Sequence, residues 1–195
     1  RSGPAMKSLV FFLEEYSARA MLEGLLPRLL PDGWLVRYIV FEGKQDLEKQ
    51  LFRKLRAWRS PDCKFVVLRD KDSGDCARIR QRLVEKCARA GKPGTLVRIA
   101  IHELESWYLG DLAAVETGLE LRNLARKQAA RKFREPDRIA RPVHELRALT
   151  NKKYQKVSGS RAIGPHLSLT DNCSRGFMKF ISGVRNIMAL AQENH

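Results

Sequence analysis

Four short apolar runs, at residues 8–13, 34–41, 64–68 and 95–100 or 101, alternate with stretches whose apolar residues recur every three or four positions. No other feature restricts the fold as much, because strand, helix, strand, helix at this spacing is the pattern of βαβ units in a largely parallel sheet. The first run, SLVFFL, is almost continuously apolar, as a strand covered on both faces must be. Arg37 interrupts the second run and places it nearer an edge. Ala18, Met21, Leu22, Leu25, Leu26, Leu29 and Leu30 predict a helix over 17–30, which Pro31, Asp32 and Gly33 stop. Leu47, Leu51, Leu55 and Trp58 stripe a helix over 46–58, and Ala77, Ile79, Leu83, Val84 and Cys87 another over about 75–90. Further on, 124–133 reads as helical, and Pro136, Pro142 and the polar run 151–160 divide the chain beyond it into shorter pieces. A last helix over about 174–191 puts Phe177, Phe180, Ile181, Val184, Ile187 and Met188 on one face, to pack back against the sheet. The expected class is α/β: a Rossmann-like, mostly parallel sheet of four or more strands with helices on both faces. Four short strands leave their spatial order open.

Acidic residues follow three of the four runs. The third continues into Asp70 and Asp72, and alternation along an extended chain puts positions i and i+2 on one side. Glu14 and Glu15 end the first run, Asp75 follows the third, and Glu103 and Glu105 follow the fourth. In a parallel sheet these ends lie on one edge, where ligands of open α/β sheets gather. Carboxylates collected there repel one another unless protons or a cation compensate them. A Mg²⁺ ion is the economical cation, because it takes oxygen ligands and binds through one or two carboxylates while keeping waters for a phosphate substrate. Blander readings stand beside this one. Asp70 and Asp72 are also ordinary turn residues, and Glu14 or Glu15 is suited to the first turn of the next helix. Glu14 directly continues the strand and is the better ligand, with Glu15 left over for the helix. Trp107, Leu109 and Leu112 read as packing residues.

Charge enters where partners are concerned. Lys and Arg number 37 against 22 Asp and Glu, a formal net charge of +15, which favours association with a polyanion. Between 121 and 161 thirteen Lys and Arg face only three acidic residues. Arg126, Lys127, Arg131, Lys132, Lys152, Lys153 and Lys156 are the candidate phosphate contacts; the alternative is a solvated face. His166, within Ala162-Ile-Gly-Pro-His-Leu, is a candidate phosphate contact or acid/base, and a structural hydrogen bond is the other reading. His102, beside the acidic pair, is equally ambiguous. The organisation expected is a remnant of expression at 1–5, an α/β core at 6–120 and a basic helical extension at 121–195 packed on it. Four cysteines, at 63, 76, 87 and 173, form neither a zinc signature nor a disulfide framework, and fit a reduced, cytoplasmic protein. No run reaches the roughly 18 apolar residues of a membrane span, and no P-loop, nucleophile elbow, HExxH or GxGxxG is present.

An acidic residue after the first strand and a DxD after a later one resembles the Toprim catalytic domain of topoisomerases, bacterial primases and overcoming-lysogenization-defect nucleases. More closely, VVLRDKDSGD, HELESWYLGD, IGPHLSL and SRGFMKFISGVRN resemble a family of small prokaryotic Toprim-like proteins of unknown function, often found with ATPase or mobile-defence genes. The resemblance spans about 9–190. It implies Glu14 as the acidic catalytic residue, Asp70 and Asp72 as the metal-binding pair, Glu105 with Glu103 as a further acidic site, and His166 in a C-terminal motif. Glu15 departs from the broader Toprim pattern, in which glycine follows the catalytic glutamate, and glycine permits close backbone approach there.

The leading expectation is a Mg²⁺- or Mn²⁺-dependent enzyme hydrolysing phosphodiesters of DNA or RNA, with Glu14, Asp70, Asp72 and Glu105 at its centre, in a prokaryotic defence setting. The rival is a non-catalytic nucleic-acid-binding or adaptor subunit working with an ATPase partner. A third reading is an interaction module whose basic face meets an acidic protein.

Overall fold

A computed structural model describes residues 6–70, 75–100 and 102–191. In chain order the elements are β1 (Lys7–Leu13), α1 (Tyr16–Leu29), β2 (Trp34–Val40), α2 (Lys44–Ala57), β3 (Cys63–Asp70), α3 (Cys76–Arg89) and β4 (Leu96–Ala100). Then come α4 (Glu105–Leu109), α5 (Leu112–Gly118), α6 (Arg131–Arg134), α7 (Pro142–Leu149), α8 (Lys156–Ile163) and α9 (Arg175–Leu190). The strands form one sheet in the order β2-β1-β3-β4, every pair parallel.

The sequence of β1 explains its central place. Leu9, Phe11 and Leu13 belong to the apolar layer on one face, and Val10 and Phe12 to the layer on the other. A strand with both sets of side chains buried needs helices above and below it. On the first face Met21, Leu22 and Leu25 of α1 and Phe180, Val184 and Met188 of α9 close the layer. On the second, Leu47, Leu51 and Leu55 of α2 and Ile79, Leu83 and Cys87 of α3 do so. β2, the strand that Arg37 interrupts, lies at one edge with alternating exposure. The Rossmann-like α/β architecture expected from the strand pattern, a parallel sheet with helices on both faces, is the one observed.

The first-face layer runs unbroken from Leu9 through Trp107 to Met188, so the chain beyond 120 shares the core of the sheet. Trp107 is 1 % exposed, with its ring centroid 5.5 Å from that of Phe177 and 5.1 Å from that of Phe180. Ser174 caps α9, its hydroxyl accepting the Phe177 N–H at 3.1 Å. All six apolar residues expected on the inner face of α9 are buried.

The stretch 124–133 departs from expectation. It is a 3-10 helix at Ala125–Ala129 followed by the single turn α6, with Ala130 extended between them. Side chains outcompete a continuous helix here: Glu116 accepts the Leu124 and Ala125 N–H groups, while Gln128 accepts from Leu112 N and donates to Leu109 and Phe133 carbonyls. The segment is thereby tied to α4 and α5. Among the described residues no helix is long and apolar enough to cross a membrane, and the four cysteines are free thiols.

Candidate functional site

The chain runs from β1 to its neighbour β2 on one side, then returns to place β3 on the other side of β1. Such a reversal leaves a crevice at the carboxyl ends of the two central strands, where connections depart in opposite directions. Glu14 is the first residue after β1, and Asp70 is the last of β3. Glu14 Oε2 accepts the Asp70 N–H at 3.0 Å, so the two strand ends are joined through the acidic side chain itself.

β4 brings a third carboxylate. Past its end His102 adopts a left-handed φ of 66°, uncommon for a residue with a side chain, and the chain turns into α4. Glu105, the first residue of α4, is fully buried. Its Oε1 accepts the Tyr154 hydroxyl at 2.7 Å, and its Oε2 has no hydrogen-bond partner among the described residues. Tyr154 precedes α8, whose first residue, Lys156, is half-buried with Nζ 2.9 Å from Glu15 Oε2. Glu15 stands at the start of α1 without accepting from that helix's backbone; its other oxygen accepts the Ser17 hydroxyl. Tyr108 donates to Ser160 Oγ at 2.8 Å, closing a polar layer between α4 and α8.

The electrostatics follow from this crowding. Burial, and then the charges of Glu15, Glu105 and Glu14, push the Asp70 carboxyl well above the usual carboxylate range, with Lys156 only partly offsetting them. Burial also raises Glu105, against the Tyr154 hydrogen bond and Lys156. Burial raises the phenols of Tyr108 and Tyr154, so both remain hydrogen-bond donors. Burial disfavours the Lys156 ammonium, yet its hydrogen bond to Glu15 and the charges of Glu105, Glu15 and Asp70 outweigh this and hold it at about 12.

Of the acidic residues singled out from the sequence, Glu14, Asp70 and Glu105 gather at this edge. Asp72 lies outside the described residues. Glu103 turns away, its Oε2 accepting the Val143 N–H at 3.2 Å near the start of α7. Asp75 caps α3 through the Ala77 N–H. Lys156, expected among the phosphate contacts, stands beside the carboxylates, its Nζ paired with Glu15. Arg126, Lys127, Arg131, Lys132, Lys152 and Lys153 are exposed, and Lys132 is paired with Glu145 at 2.6 Å. His166 is exposed on the 3-10 helix Gly164–His166, which packs on α1; Arg28 donates to the Gly164 and Leu167 carbonyls there. Sequence reasoning prefers Glu14 and leaves Glu15 for the helix cap, which it does not form, and does not mark Tyr154 as a member of the site. A partial signal exists for α8, where Lys156, Ser160 and Ile163 recur at helical spacing on a face that proves to be buried.

Among the described residues no three His, Cys, Asp or Glu side chains stand close enough together to hold a metal ion. The chemistry of the edge nevertheless suits a hard cation. The donors are all oxygens, the Asp70 carboxyl is destabilised as an anion by burial and then by its acidic neighbours, and one buried Glu105 oxygen has no hydrogen-bond partner among the described residues, which costs about 1–3 kcal/mol in a carboxyl left unsatisfied.

No curated protein matches the sequence. Among solved structures, a platinum-phased structure of the C-terminal region of the Xanthomonas campestris pv. campestris OLD protein is similar in fold, with 19 % identity and a TM-score of 0.50 over 97 % of each chain. A mercury-phased structure of the same region matches at 20 % identity and a TM-score of 0.49, over 96 % of this chain and 98 % of that one. The sequence profile of a family described as a domain of unknown function, DUF4276, matches residues 13–185. With that match covering most of its length, the chain belongs to the DUF4276 family.

Proposed function

We propose that this protein is a Mg²⁺- or Mn²⁺-dependent hydrolase of nucleic-acid phosphodiesters, in DNA or RNA. The observation that carries the reading is the meeting of Glu14, Asp70 and Glu105 at the reversal point of the sheet, with Asp70 holding its proton unusually tightly and one Glu105 oxygen left without a partner. Glu14, Asp70, Asp72 and Glu105 would hold the ion. An ion held there would supply Lewis-acid chemistry, polarising phosphoryl oxygens and lowering the pKa of a bound water. Glu14, fastened to the Asp70 amide, is positioned to take or give a proton at the reacting phosphate. Tyr154 fixes the rotamer of Glu105. Lys156 brings one positive charge to an acidic edge, where it lowers the cost of approach for an anionic substrate. Glu103 acts at one remove, tying α7 to the turn that carries Glu105. The exposed Arg126, Lys127, Arg131, Lys132, Lys152 and Lys153, with His166, supply sequence-independent contacts to the phosphate backbone. The resemblance of its motifs to small prokaryotic Toprim-like proteins is what supports a defence role beside an ATPase partner.

One observation favours a second reading, a nucleic-acid-binding or adaptor subunit without turnover: no three acidic side chains among the described residues are close enough to chelate an ion. Incubation of labelled DNA and RNA with Mn²⁺ separates the two. The wild type is expected to cleave at least one substrate, and Asp70→Asn with Asp72→Asn to abolish cleavage with an unchanged circular-dichroism spectrum. Cleavage that survives both substitutions refutes the assignment, and binding without cleavage by the wild type favours the adaptor.

A further inference from the structure

A cleft of about 680 Å³ opens beside the carboxylate edge, between the first turn of α3, the end of β4 and the start of α9. Its volume lies in the range of ligand-binding clefts. Among the described residues six cationic side chains line it, Arg80, Arg98, Arg134, Arg138, Arg175 and Lys179, and two acidic residues share the walls, both of them engaged. Glu135 is paired with Arg138 at 3.0 Å, and Asp137 accepts the Ser174 hydroxyl at 2.6 Å and the Gly176 N–H at 3.0 Å. Arg80, Arg98, Arg134, Arg175 and Lys179 therefore remain without an ion-pair partner among the described residues. Arg98 is half-buried, and burial together with Arg80 makes its guanidinium harder to keep charged. Cations drawn from four separate chain segments and left uncompensated around one cavity repel one another, and a bound polyanion relieves that repulsion.

We infer that this cleft seats the sugar-phosphate backbone of a nucleic-acid strand whose neighbouring phosphate lies at the carboxylates. The inference rests on the nucleic-acid reading above and extends the footprint beyond the basic stretch 121–161, since Arg80, Arg98, Arg175 and Lys179 lie elsewhere in the chain and join Arg134 and Arg138 from within it. Five unpaired charges exceed what a single phosphate group neutralises, whereas successive backbone phosphates bring one charge each. Ala77 and Ile99 give the same walls apolar surface for sugar or base. Continuity with the carboxylate edge is built into the sheet: Ile99 lines the cleft and pairs in register with Arg69, one residue before Asp70.

The test is binding by the full chain in EDTA, where cleavage plays no part, read by fluorescence anisotropy of a labelled single-stranded oligonucleotide of about twelve nucleotides. Arg80→Glu, Arg175→Glu and Lys179→Glu combined is compared with Lys49→Glu, Arg53→Glu and Arg56→Glu on α2, an equal change in net charge outside the cleft. The cleft variant is expected to bind at least about tenfold more weakly and to lower the slope of log K against log salt by about 2, while the α2 variant stays within about threefold of wild type. Equal losses in the two variants, or no binding by the wild type, overturn the inference. Alkylation of the wild type gives a readout independent of any variant's folding. The oligonucleotide should slow modification of Cys76 in the cleft wall and leave Cys63, at the opposite end of the sheet, unaffected; unprotected Cys76 overturns the proposal. Wild type that binds in this way yet never cleaves would refute the hydrolase and leave the cleft standing.

Discussion

Asp70 ends a strand, buried, among three carboxylates, Glu15, Glu105 and Glu14, and among the described residues the Lys156 ammonium offsets them in part. Its folded pKa lies well above its unfolded value of about 3.9. Between those two values the folded protein binds more protons than the unfolded chain, so unfolding free energy falls as pH rises. The stability is complete below the unfolded value and is lost as pH climbs through the folded one. In EDTA the thermal midpoint should therefore decline as pH is raised from about 4, and Asp70→Asn should flatten that decline. Glu105, shifted in the same direction, keeps some slope in the variant. A variant as pH-sensitive as wild type would show that Asp70 is not the crowded carboxyl described. Glu14 and Asp70 were legible in the sequence because each marks the place where an apolar run gives way to acid at a strand end. Tyr154 was not: it reaches Glu105 across 49 positions, and nothing in its local sequence says which buried acceptor it will meet.

Helix and strand boundaries were largely legible too, since each depends on periodicity within a short window. The placement of the IGPH stretch against α1 was not, because close approach between distant segments leaves no local pattern. Gly24 makes that approach feasible: a Cβ there would lie 2.5 Å from Pro165 Cδ and 2.7 Å from the Pro165 backbone nitrogen. Gly164 reciprocates, lying against the backbone of Met21. The proline ring has nowhere to rotate, so α1 or the 3-10 helix must shift. Gly24→Ala is predicted to destabilise the protein by about 1–3 kcal/mol despite the better helix propensity of alanine, measured by urea denaturation. A stabilised variant would mean that the two segments are less tightly apposed. Residues 124–133 carry the same lesson in reverse. They read as one helix, and Gln128 and Glu116, whose side chains hydrogen-bond backbone outside a helix's own ladder, divided it. The order β2-β1-β3-β4 also had to be seen, because the pattern of runs is compatible with several orders.

Across the molecule an acidic edge sits within a chain of formal charge +15. A polyanion approaching those carboxylates is held by the surrounding cations and repelled by the edge itself unless a positive ion is there. Reversing Arg126, Lys127, Arg131 and Lys132 to Glu should weaken nucleic-acid binding, most visibly at low salt, with little loss of stability. All four are exposed, and the Lys132 pair with Glu145 is worth under about 1 kcal/mol. Unchanged affinity would remove this stretch from the footprint. The carboxylate centre on which the rest depends is open to a simpler test, isothermal titration of Mn²⁺ into the metal-free protein near neutral pH beside the Asp70→Asn, Asp72→Asn double variant. Saturable binding by the wild type that the double variant lacks is the predicted result; equal binding by both, or none by the wild type, would contradict a metal centre at the meeting of β1 and β3.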